Sequence, residues 1–376
     1  MQNDPTSTPT INPEQAKRCL ALCWKAERLA KKNNLPFNVP VVLVGATGTA
    51  KSSSIRQFAT DLDGKNDKQF KYWHNPLSMF IDTGDFGVPV PDMKTKSMSF
   101  FTHGNIPFDC DDWGVVNFDE WDRSPDESVA ITAATIALDR EWHGIPVSPN
   151  AYICGTMNGT SDAQTQELAE FVRTRVVTLF MSRHSAGVVD SYAKFADAHG
   201  ISPVAQTFAK FRRELIEKES EFEELSVCQS RTLDMADMVW QASKAATFST
   251  DDIIYPCVAG CIGLKAATEY LAIERLIADA PDIDEILKNP DTAQIPEEAS
   301  VVYALTCHLV DAAFSLDSTP GGKNKVAVTD SIATYGARLP DEYAAALFKR
   351  VSERVPRIVT RPAFQAWAAT NKAILI

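Results

Sequence analysis

The chain has 376 residues, 45% of them apolar and 23% charged, which fits a folded chain of two or three domains and excludes a largely disordered one. Its net charge is −12, from 37 Lys+Arg against 49 Asp+Glu, so the long-range basic field that holds a nucleic-acid backbone is absent, with room left only for a local basic pore in an oligomer. The eight cysteines contain no CxxC and the six histidines no HExxH, so the thiols read as reduced and mostly buried rather than as a metal site.

Residues 1–12 read as a loose polar arm without an apolar signal core, and no apolar run approaches the roughly 18 residues needed to span a bilayer. The expectation is a soluble, cytoplasmic protein with no membrane insertion. Asn12 and Pro13 fit an N-cap and first-turn proline, and Leu20, Cys23, Trp24 and Leu29 follow at helical spacing up to a basic last turn. The run VPVVLVG (39–45) is the pattern of a buried parallel strand, followed by a loop and a helix. Further buried strands are expected at GVVNFDE (114–120), AYICGTMN (151–158) and RVVTLFM (175–181). Ser124, Pro125, Asp126 and Glu127 read as a capping box that opens an Ala-rich helix. Strands alternating with helices imply a parallel sheet covered on both faces. Beyond residue 184 helical patterns dominate, at 188–198, 203–224, 231–247, 251–280, 296–316, 341–355 and 362–373. DSTPGGKNK (317–325) reads as a turn or linker.

The chemistry concentrates at the ends of the strands. Gly45, Ala46, Thr47, Gly48, Thr49, Ala50, Lys51, Ser52 and Ser53 follow a strand and open a helix, the setting of a Walker A phosphate loop. Backbone N–H groups there would cradle phosphate at a helix N-terminus, Lys51 would reach the β- and γ-phosphates, and Ser52 would ligate Mg²⁺. The usual glycine before the lysine is replaced by Ala50, whose methyl fits a near-helical backbone and crowds the site if φ is positive. Asp119 and Glu120 close the next buried strand, where Asp119 can hold Mg²⁺ and Glu120 can act as general base on water. Asn158 ends a third strand, placed to position that water or touch the γ-phosphate.

These segments in this order (GATGTAKSS, VVNFDEWDRSP, ALDREWHG, YICGTMN, LAEFVRTRV and SVCQSRTLDMADMVWQA) resemble the AAA+ ATPases of the MoxR branch and its near relatives, over roughly residues 38–245. The resemblance implies a Walker B role for Asp119 and Glu120, an interface role for Arg123, and sensor 1 at Asn158. It implies an arginine finger at Arg175, or alternatively Arg173, acting on a neighbouring subunit, and sensor 2 at Arg231. Fixed guanidinium charges suit a developing phosphoryl charge. In the family the stretch 86–109 holds a hairpin-like insert facing a pore or substrate, with Phe100 and Phe101 as aromatic candidates; ordinary hairpin packing is the simpler expectation for it.

The expected fold is α/β: a P-loop NTPase αβα sandwich with a parallel sheet, followed by an all-α lid and a helical C-terminal extension. The expected boundaries are an N-terminal arm and helix (1–34), a nucleotide-binding domain (35–183), a lid (184–275) and an extension (276–376). The implied activity is Mg²⁺-dependent ATP hydrolysis at the interfaces of a homo-oligomeric, typically hexameric ring. The implied partner is a protein client, frequently one carrying a von Willebrand A domain. The alternatives are a nucleotide-binding scaffold or switch with little turnover, a small-molecule P-loop kinase, and a motor stimulated by nucleic acid, which the charge disfavours.

Overall fold

The computed structural model describes residues 9–35, 38–63, 70–158, 174–182, 187–217, 226–246, 250–278, 280–317 and 325–371. The chain divides into two compact units, Met1–Val188 and Val189–Ile376.

The N-terminal unit is built on a six-stranded parallel sheet. Its strands are β1 (Thr10–Ile11), β2 (Val41–Val44), β3 (Lys71–Pro76), β6 (Gly114–Asp119), β9 (Ala151–Met157) and β10 (Val177–Met181), in the order β1-β10-β2-β9-β6-β3. The central strands are buried on both faces, yet their residues still alternate between two cores, as a pleated strand requires. Val41, Leu43, Val115, Tyr152 and Cys154 face the helices α1 (Pro13–Lys32) and α2 (Lys51–Asp63), where Leu20, Ile55 and Phe58 are buried. Val42, Val44, Val116, Phe118 and Ile153 face α3 (Glu127–Asp139) and Trp121. The result is a P-loop αβα sandwich.

Because every strand of this sheet is parallel, the carboxyl ends of β2, β3, β6 and β9 lie along one edge, where an open α/β sheet binds its ligands. Asn12 caps α1 as expected, in a full capping box with Gln15. At the sheet's other edge Glu27 of α1, almost fully buried, accepts hydrogen bonds from Arg140, Lys31 and the Val39 N–H.

Several local expectations are corrected. Thr10 and Ile11 are not part of a loose arm: they pair with Phe180 and Met181 as the sheet's edge. The Ala-rich helix starts at Glu127 with Asp126 as its cap, accepting from the Ser128 N–H, instead of using Ser124. Strand β3 is not apparent in the sequence, because KYWHNP carries polar residues inside a strand. Only Cys154, Cys228 and Cys307 are buried among the eight free cysteines, so most of the thiols are at least partly accessible.

Two antiparallel hairpins decorate this unit: β4 (Gly87–Asp92) with β5 (Ser97–Thr102), and β7 (Glu141–Trp142) with β8 (Ile145–Pro146). Phe100 stacks on His143 with centroids 4.3 Å apart, which is internal packing, while Phe101 is 74% exposed.

The C-terminal unit is helical throughout its described residues, with two apolar cores. One gathers Ala196, Phe208, Leu233, Val258 and Tyr270 from the helices 188–199, 203–211, 230–245, 251–262 and 264–278. The other gathers Leu305, Leu309, Ile332, Phe348 and Trp367 from 299–317, 325–336, 341–354 and 362–370. The expected single helix over 251–280 is two helices, broken at Gly263, whose φ of +84° suits glycine and ends the first helix. The expected helix over 203–224 likewise stops at Phe211, and a short helix restarts at Arg213. The helix 325–336 adds an element that the sequence pattern does not announce. Arg350 joins the two cores: it forms a two-pronged ion pair with Asp197, donating from Nε to Oδ2 at 2.9 Å, and also donates to Gln206 Oε1 at 2.7 Å. No described helix is long and apolar enough to cross a membrane.

Candidate functional site

The loop 45–50 leaves β2 and wraps the start of α2. Gly45 is fixed there sterically, since a Cβ on it would lie 2.4 Å from the Met181 carbonyl oxygen. Gly48 turns the chain with φ +80°, and Ala50 follows with φ +63°. Of the two cases open for Ala50, the crowded one holds: its backbone is left-handed, which costs an alanine about 1 kcal/mol relative to glycine. Thr49 is buried and closes the loop on itself, its hydroxyl donating to the Ala46 carbonyl at 2.8 Å.

Lys51 is the first residue of α2 and is buried. Its ammonium donates to the carbonyls of Gly45 at 2.7 Å and Ala46 at 3.0 Å, and to Asn158 Oδ1 at 3.1 Å. A cation is thus held inside the loop at the positive end of a helix, a concentration of positive charge that suits phosphate. Ser52 follows on α2 and donates to Asp119 Oδ1 at 2.7 Å. Ser53 is exposed on the same helix.

Asp119 is the last residue of β6 and has three side-chain partners. Besides Ser52, it accepts from the Thr156 hydroxyl, and His74 Nε2 lies 2.7 Å from Oδ2. Burial opposes its ionisation, but the hydrogen bonds from His74, Thr156 and Ser52 outweigh burial and hold its carboxyl below the ordinary aspartate value. An ionised carboxylate beside a serine hydroxyl is an oxygen donor pair of the hard kind Mg²⁺ selects.

Glu120 has φ +53°, again left-handed for a residue with a Cβ. Strain of this kind at two neighbouring positions of one edge marks a place where geometry is held against local preference. Its N–H donates to Thr156 Oγ1 at 3.1 Å, and its carboxylate accepts from Ser78 at 2.8 Å. Arg123 approaches Glu120 at 3.4 Å but is exposed, so that pair adds little stability. Thr156 therefore bridges both acids.

Asn158 is buried at the end of β9. Its N–H donates to Asp122 Oδ1 at 2.8 Å and its Nδ2 to Oδ2 at 3.2 Å, which fixes the amide's orientation and aims Oδ1 at Lys51.

The sheet edge therefore brings together Lys51, Ser52, Asp119, Glu120 and Asn158. Arg175 lies elsewhere. It lies in a turn just before β10, whose Val177 is level with Val41 at the start of β2, so it sits toward the amino ends of the strands, away from the edge that carries Gly45. Arg173 lies outside the described residues. Arg231 is exposed in the first turn of helix 230–245 in the C-terminal unit. Sequence reading misses His74, Ser78, Asp122 and Thr156. The available signal is period-2 polarity in GTMN, where Thr156 and Asn158 share a strand face; KYWHNP has no such alternation.

No family model and no curated protein matches the chain. Among solved structures it is similar to a proline-to-glycine mutant of RuvB from Thermotoga maritima, at 15% identity and a TM-score of 0.42, covering 75% of this chain and 78% of that one. It is also similar to a putative ATPase from Cytophaga hutchinsonii ATCC 33406, at 11% identity and a TM-score of 0.30, covering 71% and 94%. Likenesses this distant carry no weight for mechanism, which rests on the geometry of the site.

Proposed function

We propose that the N-terminal unit binds Mg²⁺-ATP at the sheet edge and hydrolyses it, and that the chain is an AAA+ ATPase of the MoxR-like kind. The observation that carries this reading is the direct bond between Lys51 and Asn158, which joins the phosphate loop to the polar end of a third strand beside the acidic pair. In the proposed roles the loop N–H groups and Lys51 hold the phosphates, and Ser52 and Asp119 hold Mg²⁺, which neutralises phosphate charge when bound. Glu120 takes a proton from water, and Asn158, oriented by Asp122, positions that water. Arg175, on the far edge of the sheet, suits a role at a neighbouring subunit's site better than at its own. This favours a ring-forming homo-oligomer, with Arg123 at the interface and Arg231 reaching nucleotide from the segment 184–275, which would act as the lid. The net charge of −12 favours a protein client over nucleic acid.

The test is ATP turnover of the parent chain against Glu120→Gln. Magnesium-dependent phosphate release in the parent, lost in the variant, supports hydrolysis. Equal near-zero rates in both overturn it and leave the second reading, a nucleotide-binding switch, which the strained Ala50 favours. Retention of ATP-bound Glu120→Gln rings on a client is the further test of the remodelling role.

A further inference from the structure

A solvent-open cleft of about 710 Å³ lies in the C-terminal unit. That size falls within the roughly 300–1,000 Å³ range of small-molecule sites. One side is formed from the first apolar core, by residues that include Trp240 and Ile277, and the other by helix 299–317 through His308, Asp311 and Phe314.

Helix 299–317 reads VVYALTCHLVDAAF through its middle, where His308 and Asp311 interrupt an otherwise largely apolar surface. They stand three residues apart on one face of the helix, and both line the cavity. Among the described residues neither side chain has a hydrogen-bonding partner. Burial raises the Asp311 carboxyl to about 7, with Asp197 adding to the rise and Arg350 opposing it. Burial lowers His308, favouring the neutral imidazole.

The other charges in the wall are matched. Lys244 pairs with Glu274 at 2.6 Å, and Asp197 pairs with Arg350. Among the described residues Asp311 has no ion-pair partner and feels Arg350 only through space, and Trp240, Ile277 and Phe314 share the lining with the polar Ser202, Gln241 and Ser315. Partial burial disfavours the Asp311 carboxylate, and a bound cation would offset that.

We propose that this cavity binds a small organic ammonium, its charged head on Asp311 and its apolar body against Trp240, Ile277 and Phe314. An ammonium offers several donors to one carboxylate, and the neutral His308 imidazole can accept another. An anion would be repelled by Asp311, and a bare metal ion would find too few oxygens. The two sides of the cavity belong to the two apolar cores, so the ligand would join the segment after residue 276 to the helices before it.

The test is calorimetry on the full chain at about pH 8, where Asp311 is ionised, with phenethylammonium as the probe and 2-phenylethanol as its neutral counterpart. The expected result is saturable binding of the amine, at least about tenfold tighter than the alcohol. Asp311→Asn should remove that preference. Ala278→Trp, at an exposed part of the cavity wall, should abolish binding of both probes while the thermal midpoint is kept. Absence of saturable binding, equal affinity for amine and alcohol, or parent-like binding by both variants would overturn the proposal.

Discussion

Lys51 Nζ donates to Asn158 Oδ1 at 3.1 Å, across 107 positions of sequence. The bond exists because β2 and β9 are neighbouring parallel strands, with Val44 opposite Met157, so that whatever follows each strand meets at the same edge. Asp122 then holds the Asn158 amide by two bonds, leaving its oxygen to face the lysine.

Replacing Glu120 with Gln should lower ATP turnover by about 10²–10⁴-fold, the range of a lost general base. Its backbone bond to Thr156 survives the change, so nucleotide affinity should stay near that of the parent. Phosphate release and titration with a fluorescent nucleotide measure the two quantities separately.

Asp122→Ala should act through Asn158. It removes the acceptor for a buried N–H, at a cost of about 1–3 kcal/mol in stability, and frees the amide to rotate. Turnover should fall while KM for ATP changes little, and the conservative Asp122→Asn should recover part of the loss.

Ala50→Gly should be tolerated or stabilising. The left-handed φ of +63° costs alanine about 1 kcal/mol, which glycine avoids, less what glycine loses in unfolded-chain entropy. Gly45→Ala should do the reverse, because its methyl meets a backbone carbonyl. Thermal midpoints of the two variants should move in opposite directions or leave only the second lowered.

Asp119 and Asp311 should give opposite pH signatures. Asp119 is held below its ordinary value when folded, so its contribution to stability is present above the unfolded pKa of about 4 and is lost as pH falls through the folded one. Asp311 titrates at about 7 when folded, so the folded state binds an extra proton between about pH 4 and 7 and loses stability as pH rises across that window. Asp311→Asn should therefore raise the thermal midpoint at about pH 8 and change it little at about pH 4. Asp119→Asn should lose its effect on stability in acid.

Arg350→Ala should destabilise the C-terminal unit by about 3–5 kcal/mol, because Asp197 would remain buried without its partner. Denaturant unfolding of the variant measures this, and Arg350→Lys should recover only part, since an ammonium cannot reproduce the two-pronged pair.

Much of this protein is legible in the chain itself. Short β-branched runs such as VPVVLVG mark buried parallel strands, because a strand covered on both faces accommodates few polar residues. Glycines and a lysine between such a strand and a helix mark a phosphate loop, because few other uses need that spacing. Polar strands give no such signal, so β3, with His74, stays invisible: its polar side chains are satisfied only by residues distant in sequence. The same holds for Thr156, which reads as an ordinary strand residue until β6 is laid beside β9 and its hydroxyl is found between Asp119 and Glu120. The sign of φ at Ala50 and Glu120, and the placing of Asp311 without an ion-pair partner among the described residues, are likewise decided only by tertiary structure. Local sequence sets which conformations are favourable and which side chains prefer burial; the partners that make a strained conformation or a buried charge tolerable, or leave it unmet, come from elsewhere in the chain.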